Sequence, residues 1–431
     1  MQGGAIASFL ALWSQSHEGR RSESPAQSGP VAVLTQLVGG TEAPPALRSA
    51  AVPTVTLAVV AASFVGLIAT FAMHLVNLRM QSLGIAASLI SFSVAVQAVA
   101  ICATALTAKQ LIARVGLRFT LPVSSVVCSI ALVATYFATD VYTIVVLRAV
   151  FAVGLTFPVI TSEYLVTARC DESNRGSVVA WYTTALGFGT IIGPLLVSTL
   201  GISESASFLL GATMLLFGSV MLRACLADHE GVTARHTAPF TAVRFMPTVF
   251  LAAFVFGVAD NGGLSLLPVY GAANGYDIPS AANLAVFAAL GATLLQFPIG
   301  WLAAKYDTTR VLVGIIILTL GALALLPVFL AEKYLAYLVA AALGALFEGL
   351  YTVALVRISR ERRVRSLSAL NACFISVCSL GEVAGPIAGG VSMEYFGSHG
   401  FIVALVVVFA AYGLAMMNRR VSKDTHPNTF N

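Results

Sequence analysis

Charge is scarce in this chain. Of 431 residues only 24 are Lys or Arg and 19 are Asp or Glu, so 10% are charged, against roughly a quarter in a soluble domain. That shortage excludes a core wrapped in a water-covered surface. Histidine is sparse too, at six, and the six cysteines, Cys102, Cys128, Cys170, Cys225, Cys373 and Cys378, show no zinc-ligand spacing. No glycine loop joins a strand to a helix around a phosphate, no cluster suits a metal, and no serine has a nucleophile's setting. An enzyme is therefore not expected, nor a metal or organic cofactor. The net charge of +5 is spread over many loops rather than gathered into a patch, so nucleic acid is not an expected partner.

Apolar residues are what the chain has, at 58%. Between residues 55 and 417 lie twelve apolar segments, each near the roughly 20 residues a helix needs to cross about 30 Å of hydrocarbon. Backbone groups in lipid must pair within their own segment, so these segments are expected to be helices of an all-α membrane protein. Numbered in order, they put Arg114, Arg118, Arg169, Arg175, Lys305, Arg310 and the arginines from 357 to 365 on one side; only Arg79 and Lys333 fall on the other. Basic short loops stay in the cytoplasm, which predicts a multi-pass protein of the plasma or inner membrane with both termini cytoplasmic. Residues 1–50, rich in Pro, Ser and Gly, are expected to be a disordered tail without a part in the function.

The two halves of the apolar region repeat. After helix two comes Ala113-Arg114-Val115-Gly116-Leu117-Arg118, and after helix eight Gly300-Trp301-Leu302-Ala303-Ala304-Lys305-Tyr306-Asp307, with Arg310 following. Gly189 and Gly193-Pro194 in helix five are matched by Gly381 and Gly385-Pro386 in helix eleven. Ala304 lies 191 residues after Ala113, and Gly385 lies 192 after Gly193. Two landmarks agreeing to one residue predict six helices duplicated in parallel: a bundle over 51–227, a linker over 228–245, a second bundle over 246–418 and a cytoplasmic tail over 419–431.

Twelve helices with these landmarks resemble the major facilitator superfamily over essentially the whole chain after residue 50. Leu266-Leu267-Pro268-Val269-Tyr270-Gly271 and Gly300-Trp301-Leu302-Ala303 are similar to a YcaD-type bacterial subgroup. The resemblance implies two pseudo-symmetric six-helix bundles around a cavity lined by helices one, four, seven and ten, with three, six, nine and twelve facing lipid. It implies a monomeric secondary active transporter that moves a small-molecule substrate by alternating access, with protons as the coupling partner. The family's loop after helices two and eight is a Gly-x-x-x-Asp-Arg-x-Gly-Arg-Arg type latch. Here Ala113 and Ala304 stand at the aspartate positions, Lys109 at a glycine of the first copy and Asp307 at a glycine of the second. A glycine and proline pattern in helix five is typical of the family's exporters, so export is expected, although Leu195, Leu196 and Val197 depart from its small residues.

An ionisable group near the bilayer centre costs about 2.5 to 3.5 kcal/mol on insertion scales, so each one needs a reason. Five stand out: Arg148 and Glu163 in helix four, Asp260 in helix seven, Glu348 in helix ten and Glu382 in helix eleven. The repeat images of Asp260, Glu163 and Arg148 are near Ala69, Ala354 and Val339. Charges absent from one half suit a substrate better than a scaffold. Asp260, followed by Asn261-Gly262-Gly263, is the foremost candidate for proton coupling or substrate contact, with packing against a neighbouring helix as the alternative. Glu348, flanked by Gly344 and Gly349, comes next. Arg148 could snorkel to the surface or face an anion or a carboxylate across the cavity. His74 and Asn77 lie near the outer mouth; a lone histidine such as His74 serves packing more often than proton transfer. Arg114, Lys305, Glu163 and Glu382 are candidates for a gate or latch. Gly189 with Gly193, and Gly381 with Gly385 and Gly389, recur every four residues, which permits close helix approach, while Pro194 and Pro386 permit bending. The competing function is a non-transporting membrane receptor or scaffold, in which the embedded carboxylates would be dispensable.

Overall fold

The computed structural model describes residues 51–168, 175–202, 205–226, 246–359 and 367–425. The expected tail over 1–50 and linker over 228–245 lie outside them. The first half runs α1 (Ala51–Ser82), α2 (Ala87–Val115), α3 (Leu117–Phe137), α4 (Val141–Ala168), α5 (Arg175–Leu200) and α6 (Ser205–Ala224). The second runs α7 (Pro247–Ala273), α8 (Ile278–Lys305), α9 (Thr308–Val328), α10 (Lys333–Ser359), α11 (Leu367–Phe396) and α12 (Gly400–Thr425). Eleven of these are long and apolar enough to cross a membrane, and α5 contributes the shorter apolar stretch Thr184–Leu200. Several helices extend a turn or more beyond their apolar segments, because the hydrogen-bond ladder does not stop where hydrocarbon would. One such extension carries Asn77 and Arg79 inside α1, and another carries α12 to Thr425.

The repeated loops turn by different means. Between α2 and α3 the chain reverses at Gly116, whose φ of 84° is open to glycine. Its image 191 residues on is Asp307, which keeps an ordinary φ of −61° and caps α9, its Oδ1 accepting from the Arg310 backbone N–H at 3.0 Å. A cap thus replaces the glycine that the second copy lacks.

Lipid tails are as apolar as leucine, so close packing rather than water exclusion must hold such helices together. Small residues supply it. A Cβ on Gly189 would meet the backbone of Ser63 and Leu67, and one on Gly193 the backbone of Phe71, while Gly66 lies against Leu186; α1 and α5 touch along this seam. In the second half Gly257 lies against Cys378, Gly381 against Phe254, and Gly385 against Val258 and Gly262, which joins α7 to α11. Gly257 stands 191 residues after Gly66. Pro194 and Pro386 sit inside α5 and α11, one residue beyond these contacts.

Burial marks the centre of the second half. Of the most apolar 18-residue window, 89% is buried in α10 and 78% in α7, against 39% in α9 and α12. The share is also 39% in α2 and α11, so low burial by itself does not single out α9 and α12. The halves meet along α2–α11, α5–α8 and α1–α7. At the end away from the basic loops, Gly390 of α11 presses on Ala87 and Ser91 of α2, and the Ser198 hydroxyl of α5 donates to Asn283 Oδ1 of α8 at 2.8 Å. Nearer mid-depth, Asn77 Nδ2 of α1 donates to the Ser265 carbonyl of α7 at 2.8 Å. These contacts hold the halves together at that end.

Candidate functional site

Helix α7 changes its winding in the middle. Over Val258–Leu264 it becomes a π-helix, a wider turn with one extra residue per hydrogen-bonded ring. The sequence Val258-Ala259-Asp260-Asn261-Gly262-Gly263-Leu264 explains why it yields: two adjacent glycines hold an α-helix poorly. Tertiary contacts then select the wider turn. Gly262 lies against the backbone of Gly385, and Asn261 Nδ2 donates to the Glu382 carbonyl at 2.8 Å, so α11 grips the bulge. On its far side the Ser265 hydroxyl bonds the Asn261 carbonyl, while the Ser265 carbonyl accepts from Asn77 of the other half. The π-turn carrying Asp260 is therefore tied to both halves.

Asp260 opens onto a cavity between the halves. One compartment is lined by His74, Gln97, Asp260, Asn261 and Glu382, the other by Ser162, Tyr182, Thr293, Gln296 and Glu348. Ala69, Thr70, Thr190 and Ala289 line both, so the two compartments adjoin. Asp260 and Glu348 are themselves 9% and 4% exposed. Carboxylates from α7, α10 and α11 thus converge on a space whose other walls are largely alanine, valine and threonine. Ala69, the repeat image of Asp260, lies on the opposite wall.

Arg148 does not snorkel. It is 3% exposed and sits behind the wall, its Nε donating to Gln97 Oε1 at 2.6 Å and its Nη1 to Asn77 Oδ1 at 2.6 Å and Ser93 Oγ at 3.1 Å. The acceptors in that shell are neutral, and Nη2 is buried without an acceptor. Arg148 reaches the cavity only through Gln97. The same cluster holds the Asn77 amide in the orientation that lets its other end cross to Ser265. Two further buried polar atoms lack partners at the cavity itself: His74 Nδ1 and Gln296 Nε2.

Of the four latch candidates, Arg114, Lys305 and Glu382 are not brought together. Arg114 and Lys305 are exposed, and the Lys305 ammonium lies over the Trp301 ring, 4.8 Å from its centroid, and 5.7 Å from that of Tyr306. Glu163 belongs to α4, but its side chain lies outside the described residues. Glu382, expected to gate or to tie α11 to its neighbours, lines the cavity. Sequence reasoning passed over Gln97, Gln296 and Ser265. An amide within an apolar helix was the signal for the two glutamines; Ser265 acts through its backbone, which no residue type announces.

The Major Facilitator Superfamily profile matches residues 54–290 and 249–430. YfkF of Bacillus subtilis, described as an uncharacterized MFS-type transporter, is 24% identical over 283 residues, 63% of this chain and 71% of its own length. YcaD of Salmonella dublin, described in the same words, is 25% identical over 286 residues, 65% of this chain and 73% of its own. Among solved structures, the nucleoside transporter NupG superposes with a TM-score of 0.66 at 12% identity, over 84% of this chain and 98% of that one. A bacterial homologue of the human lysosomal transporter Spinster, inward-facing and unoccupied, gives 0.62 at 13% identity, over 87% and 98%. At such identities these two show the fold alone. With its twelve helices and its profile match over nearly all of them, this chain is a YcaD-like membrane transporter, not an enzyme, and belongs to the Major Facilitator Superfamily.

Proposed function

We propose that this chain is a proton-coupled exporter that moves a small solute by alternating access, with Asp260 and Glu348 as its coupling carboxylates. The observation that carries the reading is the cavity between the two halves, where Asp260 on a π-turn, Glu382 and Glu348 face one space. A site at the interface of two repeated bundles suits rocking of one against the other. Asp260 also lies within one π-turn of Ser265, whose carbonyl holds Asn77 across the interface. Loading or releasing a proton at Asp260 would therefore act next to a bond between the halves. Basic loops argue for a cytoplasmic position of the end that carries them and of both termini, which makes the end joined by Gly390 and Ser198 the outer one; an inner or plasma membrane and a monomer complete the reading.

The test uses the full chain in lipid vesicles with an imposed pH gradient and an internal pH dye. Challenged in turn with amino acids, sugars, nucleosides and amines, it is expected to give saturable, solute-dependent proton movement that a protonophore abolishes. Asp260→Asn is expected to reduce that movement at least tenfold while the protein still inserts. A wild-type response from Asp260→Asn would overturn the role of Asp260, and silence towards every solute class would favour a receptor or scaffold.

A further inference from the structure

The charges that line the cavity have one sign. Asp260, Glu382 and Glu348 come from three different helices of the second half, whereas Arg148, which the sequence also allowed there, is held behind the wall by Gln97, Asn77 and Ser93. No Lys or Arg lines either compartment among the described residues. His74 is the one side chain there that could carry a positive charge, so acids exceed cations in any protonation state of that ring. An anionic solute would meet three carboxylates in a low-dielectric space, where like charges repel far more strongly than in water. A neutral sugar would meet a wall of Val65, Ala69, Val159 and Leu186 along much of its length.

A second observation points to a bound molecule. Gln296 is 6% exposed, and its Nε2 faces a buried environment without an acceptor; His74 is 4% exposed, and its Nδ1 is likewise alone. Both line the cavity, one in each compartment. Buried polar groups in proteins are nearly always paired, and leaving one unpaired costs about 1–3 kcal/mol. Polar atoms left so in two adjoining compartments are suited to a ligand that reaches from one to the other and supplies the missing partners. Along α8 the lining runs from Ala285 to Gln296, eleven residues or about 16 Å at the helical rise. That length fits a molecule larger than a single amino acid.

We infer that the solute is an organic cation: an ammonium head held between Asp260 and Glu382, an apolar or aromatic body against Val65, Val159, Leu186 and Tyr182 in the compartment that Glu348 also lines, and a hydrogen-bond acceptor there for Gln296. The inference rests on the carrier reading of this cavity, and it is tested by binding without any gradient, so its failure leaves proton-coupled transport of another solute class standing.

The experiment measures binding to the purified full chain in detergent by thermal stabilisation and by titration calorimetry. Four probes share a skeleton: 4-phenylbutylamine, 4-phenylbutanol, 4-phenylbutyrate, and 4-phenylbutylamine carrying a para-acetyl group. The amine is expected to bind at least tenfold tighter than the alcohol, and the carboxylate not to bind. The acetyl group is expected to add a further gain of several-fold that Gln296→Leu removes. Asp260→Asn with Glu382→Gln is expected to cancel the preference for amine over alcohol. Equal binding of amine and alcohol, tighter binding of the carboxylate, or no binding by any probe would overturn the inference, and so would an acetyl effect that survives Gln296→Leu. Should the double variant fail to fold, judged by its ligand-free melting, the charge series on the unaltered protein decides alone.

Discussion

In the first half α1 and α5 meet through Gly66, Gly189 and Gly193, and in the second α7 and α11 meet through the repeat images Gly257, Gly381 and Gly385. The seam was duplicated with the helices. What surrounds it was not. Helix α8 lies on α10 so closely that a Cβ on Gly291 would overlap the Ala341 carbonyl and one on Gly344 the Ala288 carbonyl. Ala100 and Val153 stand 191 residues earlier, and Val153 is exposed. The central helices differ accordingly: buried shares of 89% and 78% in α10 and α7 compare with 50% and 56% in α4 and α1. The polar devices are divided as well. The carboxylates that line the cavity and the π-turn belong to the second half; the cluster of Arg148, Asn77, Ser93 and Gln97 belongs to the first. One frame has been kept for packing while each half took a separate polar task.

That division can be broken at three points. The largest effect is expected at the α8–α10 contact, where Gly291→Val puts branched carbon into backbone that has no room to retreat; overpacking costs about 1–3 kcal/mol even where side chains can move. Thermal melting in detergent should show loss of most folded protein, whereas Ala100→Val at the image position should melt within about 2 °C of the parent. Equal losses at both positions would mean that the halves pack alike.

A middle effect is expected from Asn77→Leu. It deprives Arg148 Nη1 of its closer acceptor and leaves the Ser265 carbonyl without its bond from the first half. Each buried polar group so stranded costs about 1–3 kcal/mol, which should lower the melting temperature by several degrees. Pro268, the image of Asn77, has no N–H and no polar side chain to lose, so Pro268→Ala should fall well short of that loss. If Asn77→Leu melts like the parent, the Arg148 cluster does not bear on the interface.

The smallest effect lies outside the membrane. At the end away from the basic loops Lys333 Nζ contacts Asp277 Oδ1 at 2.9 Å, a bridge that clips the start of α10 to the start of α8. The bond with Ser280, and after it Lys333, holds the Asp277 carboxyl down to about 2. A carboxylate whose folded pKa is depressed adds stability above its ordinary range and loses it as pH falls towards that lower value. Ala86 and Tyr142 occupy the images, so the first half lacks the clip. Exposed pairs contribute little; Lys333→Ala should shift melting by no more than about 2 °C at neutral pH, and the shift should vanish near pH 2.

Much of the fold could be read from the residues in order. Apolar length announced the helices, and landmarks 191 and 192 residues apart announced the pairing of α5 with α11. Asp260 could be singled out because a carboxylate in hydrocarbon demands an explanation wherever it points, and the glycines after it flagged a weak helix. Glu382 and Arg148 were legible as unusual residues but not in their surroundings. Nothing in the string shows that Glu382 turns inward beside Asp260, or that Arg148 is enclosed by three neutral side chains. Gln97 and Gln296 were legible as amides in apolar runs, but what each one meets depends on neighbours that the order of residues does not show.

By itself, then, the sequence determined how many helices there are, how they pair by repeat and which charges must lie in the membrane. These properties follow from the local requirement that backbone in lipid bond to itself and from the covalent order of a duplicated gene. Tertiary structure alone decided which charges share a space. The direction of a side chain around its helix axis depends on how glycine seams such as Gly257 with Gly381 seat one helix on another, and on whether a segment such as Val258–Leu264 winds as α or π. A single extra residue in that turn rotates everything beyond it, and contacts from other helices, α1 and α11 among them, choose the winding that faces Asp260 into the cavity.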